Sequence, residues 1–129
     1  MQTLSSTQYG TVTHNYKSKK IETAHDFLQK NFSRNITLKE VSKLANMNEV
    51  SFSRFFKLHT GITFMDSLLD IRLGNASRLL IDTSDTVSEI AYDCGFNNIS
   101  NFNRLFKKRK GCTPKEFRDN FSYGNRLFI

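Results

Sequence analysis

The chain has 129 residues, of which 19 are Lys or Arg and 12 are Asp or Glu, so its net charge is +7. This length allows one compact domain, or two very small ones that share a helix. No apolar run approaches a membrane span and the N-terminus lacks the basic start and apolar stretch of a signal peptide, so we expect a cytoplasmic protein with no membrane partner. Two cysteines make no disulfide framework, and no metal-ligand or nucleophilic-triad spacing occurs. We therefore expect no enzyme, no cofactor and no metal ion.

Residues 1–20 are rich in Ser, Thr, Gln and Asn and show no apolar periodicity. A segment of this composition does not bury enough apolar surface to offset the entropy of ordering it. It therefore predicts a flexible tail or an interdomain linker.

From Ile21 onward the apolar residues recur at helical spacing, which predicts an all-α fold. A first helix carries Ile21, Ala24, Leu28 and Phe32 on one face. Later helices start at capping boxes, in which a Thr hydroxyl and an acidic side chain three residues later satisfy free backbone amides. Six further helices are predicted near residues 38–45, 49–59, 63–82, 87–94, 98–110 and 114–121. Residues 122–129 are predicted to form a loose C-terminal tail.

The segment from Leu38 to Thr63 is repeated from Val87 to Thr113. In its first part the matching residues lie 49 positions apart, as in Glu40 and Glu89, Val41 and Ile90, Met47 and Phe96, Val50 and Ile99. One extra residue then enters, and the spacing becomes 50 for Phe52, Arg54, Phe56, Lys57, Gly61 and Thr63. The repeat indicates one small helical unit that is used twice.

Each copy is predicted to be a helix-turn-helix unit, in which a tight turn joins two helices. The turn needs a residue with positive φ, which Gly95 supplies in the second copy and Asn46 in the first. The units are predicted near residues 38–60 and 87–110, with a linker helix at 63–82 between them. As a helix this linker is about 30 Å long, close to the roughly 34 Å between successive major-groove faces on one side of DNA. One chain is thus expected to place two recognition helices in adjacent turns of a duplex.

The second helix of each copy has an aromatic stripe at helical spacing, which is typical of a core-facing side. We predict that six residues face the core: Phe52, Phe55, Phe56, Phe102, Leu105 and Phe106.

The opposite side of the same two helices is polar and basic, as a DNA-reading surface requires. Arg suits the O6 and N7 atoms of guanine, Asn suits adenine, and an apolar residue reaches only a thymine methyl or a sugar. The predicted base contacts are Val50, Ser53, Arg54, Ser100, Asn101, Asn103 and Arg104. The predicted phosphate contacts are Ser51, Lys57, Arg72, Lys107 and Lys108. The alternative is a helical protein-interaction module with solvated faces, but an Arg at the same place in both copies favours double-stranded DNA.

These residues resemble the AraC-type (AraC/XylS family) transcriptional regulators over about Ile21 to Phe121. The resemblance is strongest from Ser88 to Phe96 and continues through Phe102, Arg104, Phe106, Lys107, Gly111, Thr113, Pro114 and Phe117. The linker-helix pattern of the family is matched by Arg72, Leu73, Ala76, Leu79 and Leu80. Two departures are the small Val50 and Ser53 at base-contacting positions, and Phe64 where the second copy has Pro114.

The resemblance implies a seven-helix DNA-binding domain at residues 21–121 that activates bacterial transcription from the nucleoid through contact with RNA polymerase. The family's base-contacting positions fall on Val50, Ser53, Arg54, Ser100, Asn101 and Arg104. Most such regulators carry an upstream effector-binding or dimerisation domain. The linker composition of residues 1–20 therefore favours a fragment of a longer regulator over a stand-alone one, and the isolated domain is expected to be monomeric.

Overall fold

The structure is a computed structural model that describes residues 19–127. Seven α-helices and no strand occur in this range, which confirms the predicted all-α class. The helices are α1 (residues 19–31), α2 (Leu38–Leu44), α3 (Glu49–Thr60), α4 (Phe64–Asp82), α5 (Val87–Asp93), α6 (Ile99–Lys110) and α7 (Pro114–Leu127).

The first and last helices both extend beyond their predicted bounds. Most of the predicted tail, residues 1–18, lies outside the described range, but Lys19 and Lys20 already belong to α1. At the other end, α7 continues to Leu127, where the sequence predicted a helix end at 121 and a loose tail. Gly124 is the only helix breaker in that stretch, and an interior Gly costs about 1 kcal/mol, which does not end a helix by itself.

The predicted caps account for where the helices begin. Thr37 and Glu40 form a complete capping box: the Thr37 hydroxyl accepts from the Glu40 N–H at 3.2 Å, and Glu40 Oε1 accepts from the Thr37 N–H at 3.2 Å. Thr113 and Glu116 form the same box before α7, with distances of 2.9 and 3.1 Å. Hydrogen bonds that the Glu116 carboxyl accepts from the Thr113 backbone N–H and from the Thr113 side chain hold its pKa below its usual range. At α5 the Thr86 hydroxyl caps the Glu89 N–H at 3.1 Å.

The two predicted turns have one and the same backbone structure. Asn46 has φ 62° and Gly95 has φ 98°, so both residues are in the left-handed region. The Asn46 and Gly95 N–H groups donate to carbonyls three residues back, at 3.0 and 3.1 Å. The next amides, those of Met47 and Phe96, donate to carbonyls five residues back, each at 2.9 Å. Both turns are therefore Schellman motifs, in which one left-handed residue ends a helix and satisfies its last carbonyls.

The chain divides into two compact units. Within the described range, the first unit comprises residues 19–31 and 36–67, and the second comprises 32–35 and 68–127. The core of the first unit contains the buried residues Leu28, Val41, Phe52, Phe56 and Phe64. The Phe64 ring stands edge-on to the rings of Phe52 and Phe56, with centroids 5.6 and 5.5 Å away. Phe64 therefore fills this core at the position where the second copy of the repeat has Pro114.

The second unit has its own core, which α6 lines with the Phe102 and Phe106 rings. Phe96 packs on Phe102 at 4.8 Å between centroids, and Phe106 packs on Phe117 at 5.4 Å. The remaining buried members are Leu73, Ala76, Leu80, Ile90, Ala91 and Cys94. At about 25 cal/mol per Å² of buried apolar area, each such cluster is the main favourable contribution to the folding of its unit.

The predicted aromatic stripe is confirmed for four of its six residues. Phe52, Phe56, Phe102 and Phe106 are fully buried. Phe55 and Leu105, which were predicted to be core, are only half-buried. Phe55 lies at the edge of the stripe and contacts the His59 ring at 4.5 Å. An α-helix turns about 100° per residue, so Phe56 lies about 40° from Phe52 around the helix axis. Phe55 lies about 60° from Phe52 on the other side, and it is therefore turned away from the core.

The two left-handed residues differ in the space around them. A Cβ atom on Gly95 would lie 2.7 Å from the Phe32 carbonyl oxygen and 2.8 Å from Arg72 Nε, whereas Asn46 carries a side chain that is exposed. We expect Gly95→Asn to lower the free energy of unfolding by about 1–3 kcal/mol, because the new side chain overpacks the turn even though Asn tolerates its φ. The control Asn46→Gly should change it by less than about 0.5 kcal/mol. Urea unfolding followed by circular dichroism measures both, and equal shifts would contradict the steric explanation.

Candidate nucleic-acid interface

Helices α3 and α6 begin in the same way, and this fixes how their residues correspond. The Asn48 side chain accepts from the Ser51 N–H, and the Asn98 side chain accepts from the Asn101 N–H, each at 2.8 Å. The caps are thus 50 residues apart, whereas the turns before them are 49 apart. The extra residue of the second copy is therefore Asn97, which lies between the turn and the cap.

The position of this insertion corrects the predicted match between Val50 and Ile99. Ile99 is the first residue of α6 and packs against the second core, and its true counterpart is the exposed Glu49. Val50 instead corresponds to Ser100. The sequence match failed here because Val and Ile are chemically alike, although one is exposed and the other packs inward.

We define the recognition face of each helix by six corresponding positions. On α3 they are Val50, Ser51, Ser53, Arg54, Lys57 and Leu58; on α6 they are Ser100, Asn101, Asn103, Arg104, Lys107 and Lys108. All are exposed except the half-buried Ser53. At 3.6 residues per turn these positions cover less than half of the helix circumference, opposite the buried Phe pair. All predicted base contacts and all predicted phosphate contacts except Arg72 thus lie on one of the two faces.

The two faces carry different amounts of charge. The last turn of α6 holds four basic residues in a row, from Lys107 to Lys110, and three of them make no ion pair among the described residues. Arg109 pairs with Asp70 of α4. On α3, Leu58 occupies the place of Lys108 and is 79% exposed. The second unit therefore presents the stronger positive surface.

Two arginines at equivalent positions have different surroundings. Arg104 Nη2 donates to the Asn101 side-chain oxygen at 2.6 Å. Arg54 makes no hydrogen bond or ion pair among the described residues, and it lines an apolar groove of about 450 Å³ in the first unit. The walls of this groove include Leu58 and Met65, which are both exposed. Sequence reasoning missed this groove, and the signal that could have found it was Leu58 standing where the repeat has Lys108.

Arg72 does not resemble the other predicted phosphate contacts. Its Nε donates to the Phe32 carbonyl oxygen at 2.8 Å and its Nη2 donates to the Arg34 carbonyl oxygen at 3.0 Å. The side chain is half-buried beside Gly95, and this burial lowers the pKa of Arg72, which still leaves the guanidinium charged at neutral pH. Arg72 therefore ties the loop after α1 to α4, which is a structural role, and its phosphate contact stays a prediction.

Arg118 plays a similar part that the sequence did not predict. Its Nε donates to the Leu80 carbonyl oxygen at 2.9 Å and its Nη2 donates to the Thr83 carbonyl oxygen at 3.1 Å. These carbonyls lie at the C-terminal end of α4 and just beyond it, where a helix leaves its last acceptors unsatisfied. Arg118 thus joins α7 to the end of α4 within the second unit.

Comparison with known proteins identifies the family. A helix-turn-helix domain family matches residues 41–120 of the chain. A lactose operon transcription activator from Staphylococcus xylosus is 32% identical over 106 residues, which are 82% of this chain and 38% of the activator. The C-terminal domain of AraT, a response regulator from Geobacillus stearothermophilus, superimposes with a TM-score of 0.74 at 33% identity, covering 78% of this chain and 84% of that one. A probable AraC family transcriptional regulator from Rhodopseudomonas palustris gives 0.73 at 26% identity, covering 79% and 96%.

The chain belongs to the AraC-type helix-turn-helix family. It spans between 33% and 60% of the length of the curated relatives that it matches. The matched range of this AraC-type domain begins within α2 and ends within α7, so it includes both turns and both recognition faces.

Three further features of the described part of this AraC-type domain concern metal binding, membrane insertion and a free thiol. Among the described residues, no group of three or more His, Cys, Asp or Glu side chains is placed to hold a metal ion. Between residues 19 and 127, no helix has the length and apolar character needed to cross a membrane. Cys94 is a free thiol in the second core, and burial raises its pKa to about 11, so it packs as a neutral side chain.

Replacement of Arg72 by Ala should separate a structural role from a DNA contact. We expect the free energy of unfolding to fall by about 1–3 kcal/mol, because the Phe32 and Arg34 carbonyls lose their donors. The slope of log K against log salt for duplex binding should stay the same, since a residue that contacts no phosphate releases no counterion. Lys107→Ala is the control: it should leave the free energy of unfolding unchanged and reduce the salt slope by about one. A salt slope reduced by about one at unchanged stability would show that Arg72 contacts a phosphate and does not act structurally.

Proposed function

We propose that this chain is the DNA-binding domain of a bacterial transcription activator and reads double-stranded DNA with α3 and α6. The observation that carries this proposal is the pair Arg54 and Arg104. Both are exposed at equivalent positions of two helices that begin at equivalent caps, each opposite a buried Phe pair. A helix of this kind fits the major groove, where Arg recognises the acceptor pair of guanine.

The proposed roles follow the chemistry of each position. Arg54, Arg104 and Asn103 have the donors that base edges require, and Ser53 and Ser100 have hydroxyls that suit several bases. Val50, 61% exposed, offers only an apolar contact, such as a thymine methyl. Ser51, Lys57, Lys107 and Lys108 lie where phosphate contacts give affinity without sequence information.

We further propose that α3 and α6 occupy successive major grooves of one duplex. The support is the repeat itself, because one chain carries two recognition faces on helices that begin at equivalent caps. Helices of this kind read half-sites that lie one turn of the duplex apart. In this arrangement one chain reads two half-sites and does not need a second copy.

The proposed partners follow from the chain's place among its relatives. Since relatives named as activators are longer than this chain, we propose that residues 1–20 link the domain to an upstream effector or dimerisation domain. The DNA-binding domain proper then comprises α1 to α7, monomeric in isolation, and the full regulator works in the cytoplasm at the nucleoid and contacts RNA polymerase. The relative AdaA from Bacillus subtilis is named as both an activator and a DNA repair enzyme, but no catalytic role is proposed for this chain.

A helical protein-interaction module is the second candidate, and the apolar groove beside Leu58 and Met65 favours it. The two candidates differ in one measurable property. A DNA-reading domain enriches a defined sequence from a random duplex pool, whereas a protein-interaction module enriches none. Absence of enrichment at low and moderate salt would therefore overturn the proposed function.

Arg104→Ala and Lys107→Ala should have different effects on binding. We expect Arg104→Ala to cost about 1–3 kcal/mol on the selected sequence and to relax the preference at one base pair. Lys107→Ala should weaken binding to selected and random duplexes alike and reduce the salt slope by about one, because it removes one phosphate contact. Fluorescence anisotropy at several salt concentrations measures both quantities. Equal losses on selected and random DNA for the two variants would show that the assigned roles are wrong.

Leu58→Lys should strengthen DNA binding by the first unit, because it introduces on α3 the basic residue that α6 has at the equivalent position, Lys108. We expect tighter binding to any duplex and a salt slope that increases by about one. The control Ile81→Lys adds the same charge at an exposed position of α4, outside both recognition faces. If both variants raised the slope equally, net charge rather than position would explain the gain.

A further inference from the structure

We propose that Asn101 is a positioning residue for Arg104 and does not read a base itself. This proposal rests on the proposed function, because it concerns which residue of α6 recognises which base pair. It changes the role of Asn101, which the sequence predicted to be a base contact.

The N-cap residue of α6 and two polar residues of the helix are connected by two hydrogen bonds. The Asn98 side-chain oxygen accepts from the Asn101 backbone N–H at 2.8 Å, which fixes the first turn of the helix. The Asn101 side-chain oxygen accepts from Arg104 Nη2 at 2.6 Å. Residues three apart lie next to each other on a helix surface, so the helix itself holds this pair in register. The cap thus fixes the backbone from which the Asn101 side chain reaches Arg104.

The Asn101 side-chain oxygen could accept a hydrogen bond from a base or from Arg104, and the structure shows the bond from Arg104. An Asn that reads adenine accepts from the base N6 amino group with this oxygen while its NH₂ donates to N7. The same oxygen already accepts a charge-assisted bond from Arg104, and such bonds are stronger than neutral ones. Arg104 keeps its other donors, since a guanidinium has five, so guanine recognition stays available to it. The geometry therefore assigns base recognition to Arg104 and support to Asn101.

The first unit offers an internal comparison. Ser51 occupies the position of Asn101, and Arg54 occupies that of Arg104. No hydrogen bond joins Ser51 to Arg54 in the described part of the chain, and Arg54 lies along the apolar groove. An arginine without such a partner loses more side-chain freedom on binding DNA than one that is already oriented. The base pair read by Arg104 should therefore be specified more strictly than the one read by Arg54.

The test compares sequence preferences selected from a random duplex pool by the unchanged chain, N101A, R104A and the double variant. We expect N101A to relax the preference at the same base pair as R104A, by about 2- to 12-fold. R104A should relax it by about 5- to 150-fold. The double variant should match R104A, because a positioning residue has no effect once its partner is gone. Circular dichroism confirms that each variant keeps its helices.

Asn101→Asp provides the rescue, because Asp keeps an oxygen that accepts from Arg104. We expect N101D to retain the preference at that base pair while binding all duplexes more weakly, since its charge repels phosphate. The proposal is overturned if N101A relaxes a different base pair and adds to R104A, or if N101D relaxes the preference as fully as N101A. Failure of the unchanged chain to select any sequence would instead overturn the proposed function, so the two failures are distinguishable.

Discussion

One left-handed residue in each helix-turn-helix turn determines the rest of this domain. Asn46 and Gly95 end α2 and α5 and direct the chain into α3 and α6 with the same hydrogen bonds. The direction of each recognition helix decides which of its sides meets the core, so the turn places the Phe pairs inward and the arginines outward. In the second unit the turn has a further constraint, because the Phe32 carbonyl and Arg72 approach so closely that a Cβ atom does not fit. That contact joins the loop after α1 to the recognition unit that it supports.

The two units are one scaffold with different surfaces. The elements that set the backbone are shared: an Asn cap, a Schellman turn and a pair of buried Phe side chains. The exposed positions differ, since the second unit has an oriented Arg104 and a basic last turn, whereas the first has a groove and Leu58. A surface side chain contributes little to folding, so these positions are open to change for recognition while the core stays the same. The repeat therefore conserves geometry and varies chemistry.

The sequence predicted the features that depend on neighbours along the chain. Capping by Thr37, Thr113 and the Asn residues, the left-handed turns and most of the Phe stripe depend on residues within five positions, and the sequence shows these directly. It did not predict the contacts of Arg72 and Arg118, whose acceptors lie between 35 and 40 residues away. A long side chain reaches backbone carbonyls in any part of the fold, and no local pattern marks such a contact. The position of the Asn97 insertion was hidden for a different reason, because Val50 and Ile99 match in character but not in burial.

The unequal charge of the two recognition faces predicts that DNA binding by each face depends on salt to a different extent. Each phosphate that a Lys or Arg neutralises adds about 0.9 to the salt slope, so a face with several free cations binds tightly but loses affinity as salt rises. The basic last turn of α6 meets this description, although Arg109 is partly neutralised by Asp70. The α3 face has fewer cations and an exposed Val50 and Leu58, and any contact that these two apolar side chains made with DNA would gain from burying apolar surface and depend little on salt. In this scheme the second unit supplies most of the electrostatic affinity, and the first adds a contribution that persists at higher ionic strength.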